Sequence, residues 1–194
     1  MRTALVSTAA LVFAVALMAA AKNPPPAPKT PPANVPLYRL MNRNGDHFYT
    51  ASASERDRAI KGDGYTLEGV MGLIWSTQVP GSEALYRLYN GSNGHHDHFY
   101  TANPKERQEA LRDGYKDERV AGYILKTQLP GTIPVYRLYS PGTVEHFYTA
   151  SEKEREVAEK NDGFRNEGIL GYVAPPPPSK SVKPLAASIH RRER

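Results

Sequence analysis

Three short steps in the sequence place an acidic residue directly before a histidine: Asp46-His47, Asp97-His98 and Glu145-His146. A carboxylate that orients an imidazole is the arrangement of a general base, and it would suit a small hydrolase. Each step lies in a segment of strand-like composition, where consecutive side chains point to opposite faces. The acid and the histidine of one step therefore cannot pair with each other. Because the step occurs three times in the same setting, we predict structural histidines that hydrogen-bond within a hairpin, with a ligand contact or hydrolysis as the alternatives.

A further group of histidines lies beside the middle step, in the run His95-His96-Asp97-His98. A metal ion needs two or three such ligands that converge on one point. His96 and His98 share a strand face, which leaves a weak divalent site open. The run is more typical of an extended turn in solvent, so we assign no metal and no cofactor to the chain.

The acid–His steps belong to a unit that the chain contains three times. Each copy opens with a strand-like segment: Leu37-Tyr38-Arg39-Leu40-Met41, Leu85-Tyr86-Arg87-Leu88-Tyr89 and Val135-Tyr136-Arg137-Leu138-Tyr139. The step then continues as His-Phe-Tyr-Thr, and a Glu-Arg pair follows: Glu55-Arg56, Glu106-Arg107 and Glu154-Arg155. Matches at this spacing indicate internal repeats. We place copy one at residues 37–84, copy two at 85–134 and copy three at 135–173.

Each copy contains the signals of four elements in a fixed order. The opening segment and His-Phe-Tyr-Thr predict two strands of a hairpin, because aromatic and β-branched residues flank a turn segment. Ser52, Asn103 and Ser151 are helix N-caps, and we expect the short helices to end at Gly62, Gly114 and Gly163. An apolar segment closes each copy as a third strand, at residues 70–75, 120–125 and 169–173.

The predicted fold is mainly β with short helices, built from three strand–strand–helix–strand repeats. One such unit is too small to bury its own apolar face. With three units, closure into a pseudo-threefold body removes exposed strand edges and is favoured over an open array. A β-trefoil-like arrangement is the first choice, and a three-bladed propeller-like body is the alternative.

One arginine in each opening strand shares its face with apolar residues. Arg39 lies between Leu37 and Met41 on that face, and Arg87 and Arg137 occupy the same position in the other copies. A buried guanidinium needs a carboxylate partner, because a lone buried charge is costly. We therefore predict structural ion pairs with Glu55, Glu68 and their equivalents, and an anion or sugar-acid contact is the alternative.

The pattern Leu-Tyr-Arg-Leu-Tyr, Asp-His-Phe-Tyr-Thr, Glu-Arg, Gly-Tyr and Glu-Gly-Ile resembles a secreted repeat family of unknown function. The resemblance covers residues 36–173, with Met41, Glu145 and Phe164 as departures from the pattern. That family is often appended to bacterial and fungal secreted hydrolases. The resemblance implies an extracytoplasmic accessory or binding module, and it carries over no catalytic residue.

The two ends of the chain differ from the repeats in composition. Residues 1–21 have the features of a secretory signal, with Arg2, an apolar run, and Ala19-Ala20-Ala21 before Lys22. We expect a secreted or periplasmic protein with no membrane span after cleavage. Residues 22–36 are a Pro-rich linker and residues 174–194 a Pro-rich basic tail. The absence of cysteine excludes disulfides and thiolate metal sites.

The distribution of charge and of tyrosine decides between the remaining function classes. Residues 37–173 hold 17 Lys and Arg against 19 Asp and Glu, so the net charge of +5 comes from the flanks and argues against nucleic-acid binding. All 12 Tyr lie in the repeats, where they suit stacking on sugar rings. We predict a monomeric, non-catalytic module for glycan or cell-wall polymer, with a hydrolase or a structural envelope protein as alternatives. The predicted contact residues lie around the hairpin turns: Tyr89, Asn90, Asn93, Asp97, His98, Tyr139, His146 and His47.

Overall fold

A computed structural model describes residue 33 and residues 35–92 and 96–177. The signal segment, most of the Pro-rich linker, residues 93–95 and the tail from residue 178 lie outside the described residues. The described residues form a mainly β fold with three short helices, which confirms the predicted class and the strand–strand–helix–strand order of each copy. Within this described part, no helix is both long enough and apolar enough to cross a membrane.

The elements follow one another in the same order in every copy. Copy one contains β1 (Val35–Met41), β2 (His47–Thr50), α1 (Ala53–Gly62) and β3 (Thr66–Ile74). Copy two contains β4 (Ser82–Asn90), β5 (Asp97–Thr101), α2 (Pro104–Arg112) and β6 (Lys116–Leu125). Copy three contains β7 (Ile133–Ser140), β8 (Glu145–Thr149), α3 (Glu152–Asn161) and β9 (Arg165–Val173). The third strand of each copy begins about four residues earlier than predicted, because its polar first half also pairs with the opening strand.

The helices begin where the sequence predicts. Ser52 and Ser151 accept a hydrogen bond from the backbone N–H three residues on, and Asn103 accepts one from Lys105 N–H before Pro104. α1 ends at Gly62 as predicted, but Gly62 is not the glycine that caps the helix. Gly62 is itself helical, and the left-handed residue after the helix is Gly64 (φ +74°).

Every strand pair is antiparallel, and the sheets are curled. β1 pairs with both β2 and β3 in one sheet, and the other sheet has the order β5-β4-β6-β9-β7-β8. The ends of the third strands join the copies through short backbone pairings. Leu125 pairs with Tyr172, Trp75 with Tyr123, and Leu73 with Ala174. Each copy therefore touches both others at the end of its third strand.

Three glycines allow this close approach of the third strands. Gly72, Gly122 and Gly171 occupy the same position in the three copies. A Cβ at Gly171 would lie 2.5 Å from Ile124 Cδ1 and 2.9 Å from the carbonyl oxygen of Leu125, in the preceding copy. Any side chain at this position would push two copies apart.

Three buried tyrosines from the middle strands link the copies at the centre. The Tyr100 hydroxyl accepts from Tyr49 N–H (2.8 Å) and donates to the Tyr49 carbonyl (2.6 Å). The Tyr49 hydroxyl holds the backbone of Tyr148 in the same way, and the Tyr148 hydroxyl holds that of Tyr100. The ring centroids lie 5.3–5.4 Å apart in edge-to-face contact. Six hydrogen bonds therefore run through the three copies as one cycle, which we call the tyrosine cycle.

Each copy also has a small apolar core of its own beneath its helix. A Leu, a Phe and an Ala fill it: Leu40, Phe48 and Ala59, then Leu88, Phe99 and Ala110, then Leu138, Phe147 and Ala158. This packing fixes the helix against the hairpin. It thereby positions the helix side chains that meet the next copy.

Candidate functional site: clefts between the copies

At each joint between two copies lies a buried or largely buried arginine, held by two carboxylates. We call Glu55, Glu106 and Glu154 the helix glutamates, and Glu68, Glu118 and Glu167 the strand glutamates. Arg87 donates to both oxygens of Glu55 in copy one, at 2.9 Å each. Its Nε lies 2.9 Å from Glu118 of its own copy, at an angle outside that of a hydrogen bond, so this contact is mainly electrostatic. The predicted structural ion pairs are confirmed, and one partner of each comes from a neighbouring copy.

The other two joints have the same arrangement of one arginine with a helix glutamate and a strand glutamate. Arg39 pairs with Glu68 and with Glu154 of copy three, and Arg137 pairs with Glu167 and with Glu106 of copy two. The hydrogen bonds from Arg87 and Arg137 lower the pKa values of Glu55 and Glu106. Burial raises the pKa of Glu154, but Arg39 outweighs it and the net pKa is lowered. All three helix glutamates are therefore held as carboxylates.

The two residues of the Glu-Arg pair in each helix make different contacts. The glutamate reaches the arginine of the next copy and accepts a hydrogen bond from the hydroxyl of Thr50, Thr101 or Thr149 in its own copy. The arginine instead packs over the opening-strand tyrosine of its own copy. The Cζ-to-centroid distances are 4.4 Å for Arg56 on Tyr38, 4.8 Å for Arg107 on Tyr86 and 5.3 Å for Arg155 on Tyr136.

The three histidines also bond across the joints. His98 Nδ1 lies 3.1 Å from Asp46, His146 Nδ1 lies 2.8 Å from Asp97, and His47 Nδ1 lies 2.5 Å from Glu145. The expectation of hydrogen bonds within one hairpin is wrong. The acid of each step points away from its own histidine, as the strand geometry predicts, and reaches the histidine of the following copy.

Copy three differs from the others at two contacting positions. In copies one and two, the hydroxyls of Tyr65 and Tyr115 donate to the step aspartates Asp46 and Asp97. Copy three has Phe164 and the longer Glu145 in these places. Burial raises the pKa of Glu145, whereas hydrogen bonds from His146 and Tyr115 outweigh burial and lower the pKa of Asp97. Copy three therefore differs at both members of this contact: Phe164 has no hydroxyl to donate, and Glu145 is one methylene longer than the aspartates of the other copies.

Two equivalent clefts open to solvent above these joints. The cleft between copies one and two has a volume of about 240 Å³ and runs from α1 to the strand-end Tyr89 and His98. The cleft between copies two and three has a volume of about 340 Å³ and runs from α2 to Tyr139 and His146. In each, a Tyr ring lies against the histidine, with centroids 4.8 and 4.9 Å apart. Each cleft therefore has one aromatic wall, a histidine and a helix edge that carries carboxylates.

The joint between copies three and one has different side chains in the corresponding places. Met41 replaces the wall tyrosine, Phe164 replaces Tyr65 or Tyr115, and Val157 lies on the helix edge. Its three walls thus offer no hydroxyl. At these three positions the joint therefore has apolar side chains.

A family comparison adds to this geometry. The model of a family described as Domain of unknown function (DUF5648) matches residues 22–125, which include copy one and the helix and strands of copy two. The chain belongs to this family. No curated protein and no solved structure matches the chain.

The predicted contact residues lie at different joints between the copies. Tyr89 and His98 line the cleft between copies one and two, and Tyr139 and His146 line the cleft between copies two and three. Asp97 is 1% exposed and lies beneath the second cleft, where His146 and Tyr115 use its oxygens. His47 belongs to the joint between copies three and one.

Of the other residues in the predicted copy-two turn, Asn90 and His96 do not line the clefts. Asn90 accepts hydrogen bonds from Ser92 at the end of β4. Asn93 and His95 lie outside the described residues. His96 contacts the Tyr89 hydroxyl through Nδ1 at 2.6 Å. Among residues 35–92 and 96–177, no three His, Asp or Glu side chains are placed to hold a metal ion.

The charged residues on the helix edge of the clefts were not predicted from the sequence. Arg58, Asp63, Glu109 and Asp113 line them but lie far along the chain from the turns. A signal for Asp63 and Asp113 was present, because an acid precedes the glycine of the Gly-aromatic pair in each copy.

Proposed function

We propose that the chain is an exported, non-catalytic module that binds glycan or cell-wall polymer in the clefts between its copies. The observation that carries this proposal is the pairing of a tyrosine face with a polar helix edge in two equivalent open clefts. Tyrosine faces stack on sugar rings, and carboxylates and imidazole accept or donate hydrogen bonds to hydroxyls.

The cyclic joints support the finer architecture that we propose, a closed pseudo-threefold body of the trefoil type. In such a body, two equivalent clefts would be held at a fixed separation. Two weak sites on one rigid body gain affinity on a repetitive polymer, because the second contact is intramolecular. The resemblance to modules appended to secreted hydrolases supports an accessory role that brings no reaction of its own.

The arrangement of the histidines argues against the hydrolase alternative. In each acid–His pair, Nδ1 contacts the acid of the preceding copy, and Nε2 faces a strand glutamate at 3.6–3.7 Å. The strand glutamate in turn holds an arginine. A general base must reach the proton of a nucleophile, and no serine or cysteine lines either described cleft.

The test is binding of residues 22–194 to insoluble chitin, cellulose and peptidoglycan, followed by titration with soluble oligomers of whichever polymer retains the protein. Tyr89→Ala and Tyr139→Ala should each weaken binding about tenfold, the value of one aromatic contact. Tyr123→Ala removes a half-buried tyrosine outside the clefts and is the matched control. Thermal melts should show that all three variants fold.

Two results would overturn the proposal. One is retention by none of the polymers, and the other is equal binding by the parent and the two cleft variants. Release of soluble fragments from a polymer by the parent would instead favour the hydrolase. The export part is tested separately by mass spectrometry of the extracytoplasmic fraction, where we expect a chain that starts at Lys22.

A further inference from the structure

The three copies carry three different side chains at one position of the helix edge. The residue directly before the buried helix alanine is Arg58 in copy one, Glu109 in copy two and Val157 in copy three. Arg58 and Glu109 line the two open clefts. The two clefts are thus alike in their aromatic walls and opposite in charge at this point.

The cleft between copies two and three has carboxylates that the protein does not neutralise. Arg137, the arginine of this cleft, is fully engaged by Glu106 and Glu167. Glu109 and Asp113 have no ion-pair or hydrogen-bond partner for their side chains among the described residues. Both carboxylates lie at the rim of a cleft whose walls include the rings of Phe99, Tyr115 and Tyr139. Carboxylates beside aromatic faces are the surroundings that a cation prefers.

One ring nitrogen of a largely buried histidine in this cleft makes no hydrogen bond. His146 is 9% exposed, and its Nδ1 is bound to Asp97. Its Nε2 lies 3.6 Å from Glu167, beyond hydrogen-bond distance, and faces the cleft. An atom of this kind gains a hydrogen bond when a hydroxyl enters the cleft.

The cleft between copies one and two provides the comparison within the same molecule. His98 Nε2 is placed in the same way, 3.7 Å from Glu118, and Tyr89 corresponds to Tyr139. Here Arg58 replaces Glu109. The side chain of Arg58 is 73% exposed, and its guanidinium lies 3.8 Å from Glu55. A neutral hydroxylated ligand fits both clefts, whereas a ligand with a positive charge meets a like charge in this one.

We infer that the cleft between copies two and three binds a hydroxylated ligand that carries a protonated amine, such as an amino sugar with a free amine. Glu109 is the residue that selects the amine, and Arg58 excludes it from the cleft between copies one and two. This inference rests on the proposed function, since it names the ligand class for one of the same two clefts.

The experiment is calorimetric titration of residues 22–194 with a glucosamine tetramer and with its N-acetylated counterpart, at about pH 5.5, where the amine is protonated and carboxylates are ionised. The amine-bearing tetramer should bind one site per chain, about tenfold to a hundredfold more tightly than the acetylated one, as a charge-assisted hydrogen bond predicts. Glu109→Gln should remove this preference. Arg58→Glu should raise the number of amine sites per chain from one to two.

Gln108→Arg is the matched control, because it raises the net charge by one, as Glu109→Gln does, from an exposed neighbour that does not line the cleft. It should keep the preference for the amine. Both exposed sites lie on the surface of α2, and thermal melts check that the variants fold. Retained preference in Glu109→Gln, or equal loss in Gln108→Arg, would overturn the inference. Tight binding of the acetylated tetramer without preference overturns it too but leaves the proposed function standing, and binding of neither tetramer nor any wall polymer removes both.

Discussion

The three arginines at the joints, Arg39, Arg87 and Arg137, should contribute unequally to stability, although their hydrogen bonds to the helix glutamates are nearly identical. The side chains of Arg39 and its partners Glu68 and Glu154 are 5%, 10% and 11% exposed. Those of Arg137 and its partners Glu106 and Glu167 are 14%, 33% and 33% exposed. Removing an arginine leaves two carboxylates without their guanidinium partner, and the cost in stability depends on how well water can reach them.

The expected magnitudes follow from this difference in exposure. Arg39→Ala leaves two nearly buried charges and should cost about 3–5 kcal/mol of unfolding free energy. Arg137→Ala leaves carboxylates that water solvates in part and should cost about 1–2 kcal/mol. Arg87→Ala, with partners 23% and 31% exposed, should lie between the two. With a urea m-value of about 2 kcal/mol per molar, a loss of 4 kcal/mol lowers the midpoint by about 2 M.

The assay is urea unfolding of residues 22–194, followed by tyrosine fluorescence and circular dichroism. The matched control is a neutral set at the same joint, Arg39→Met with Glu68→Gln and Glu154→Gln. This set buries no unpaired charge and should recover most of the stability that Arg39→Ala loses. Equal midpoints for the three alanine variants, or a neutral set no more stable than Arg39→Ala, would refute the reasoning.

Three further predictions concern pH and packing. The helix glutamates have lowered pKa values in the fold, so the stability they supply is present above the ordinary glutamate pKa of 4.5 and is lost as the pH falls through their folded values. Three such groups give a slope of the unfolding free energy of up to about 4 kcal/mol per pH unit. Glu145 and Asp162, whose pKa values burial raises, oppose this slope. Urea midpoints as high at about pH 3 as at pH 6 would contradict the prediction. Gly171→Ala should cost about 1–3 kcal/mol by overpacking against Ile124, measured against Gly142→Ala, whose added Cβ meets only the Ser140 hydroxyl at 4.0 Å. Glu145→Asp and Phe164→Tyr should each destabilise alone and compensate together in a double-mutant cycle, whereas additive costs would show that the two sites are independent.

Features that depend on the residues of a single copy are predicted well from the sequence. The order of the elements follows from local signals, such as the caps at Ser52 and Asn103, and the need of the arginines for carboxylates follows from their place on an apolar face. The sequence does not show which glycine caps α1, because Gly62 and Gly64 stand close together and either can end a helix.

The local sequence signals do not predict the contacts between copies. Nothing in the pattern around Arg87 says that one partner is Glu55 of the preceding copy, because the choice depends on how whole copies meet. The same holds for the clefts, whose helix edge and tyrosine wall lie about thirty residues apart. The predicted contact residues include the tyrosine and the histidine that line each open cleft. The prediction placed them around hairpin turns, whereas two copies together form each cleft.

The tyrosine cycle has a consequence for how such a chain can be cut and rejoined. Its hydrogen bonds depend on three middle strands meeting, and none of them depends on which copy comes first along the chain. The linkers after β3 and β6 can therefore be opened, and the ends near residues 35 and 174 joined, without loss of a single bond of the cycle. Deleting one copy is different, because it strips one remaining tyrosine of its acceptor and exposes the backbone of the other. Circular permutants should thus fold, whereas a two-copy chain would have to recruit a third copy from another molecule.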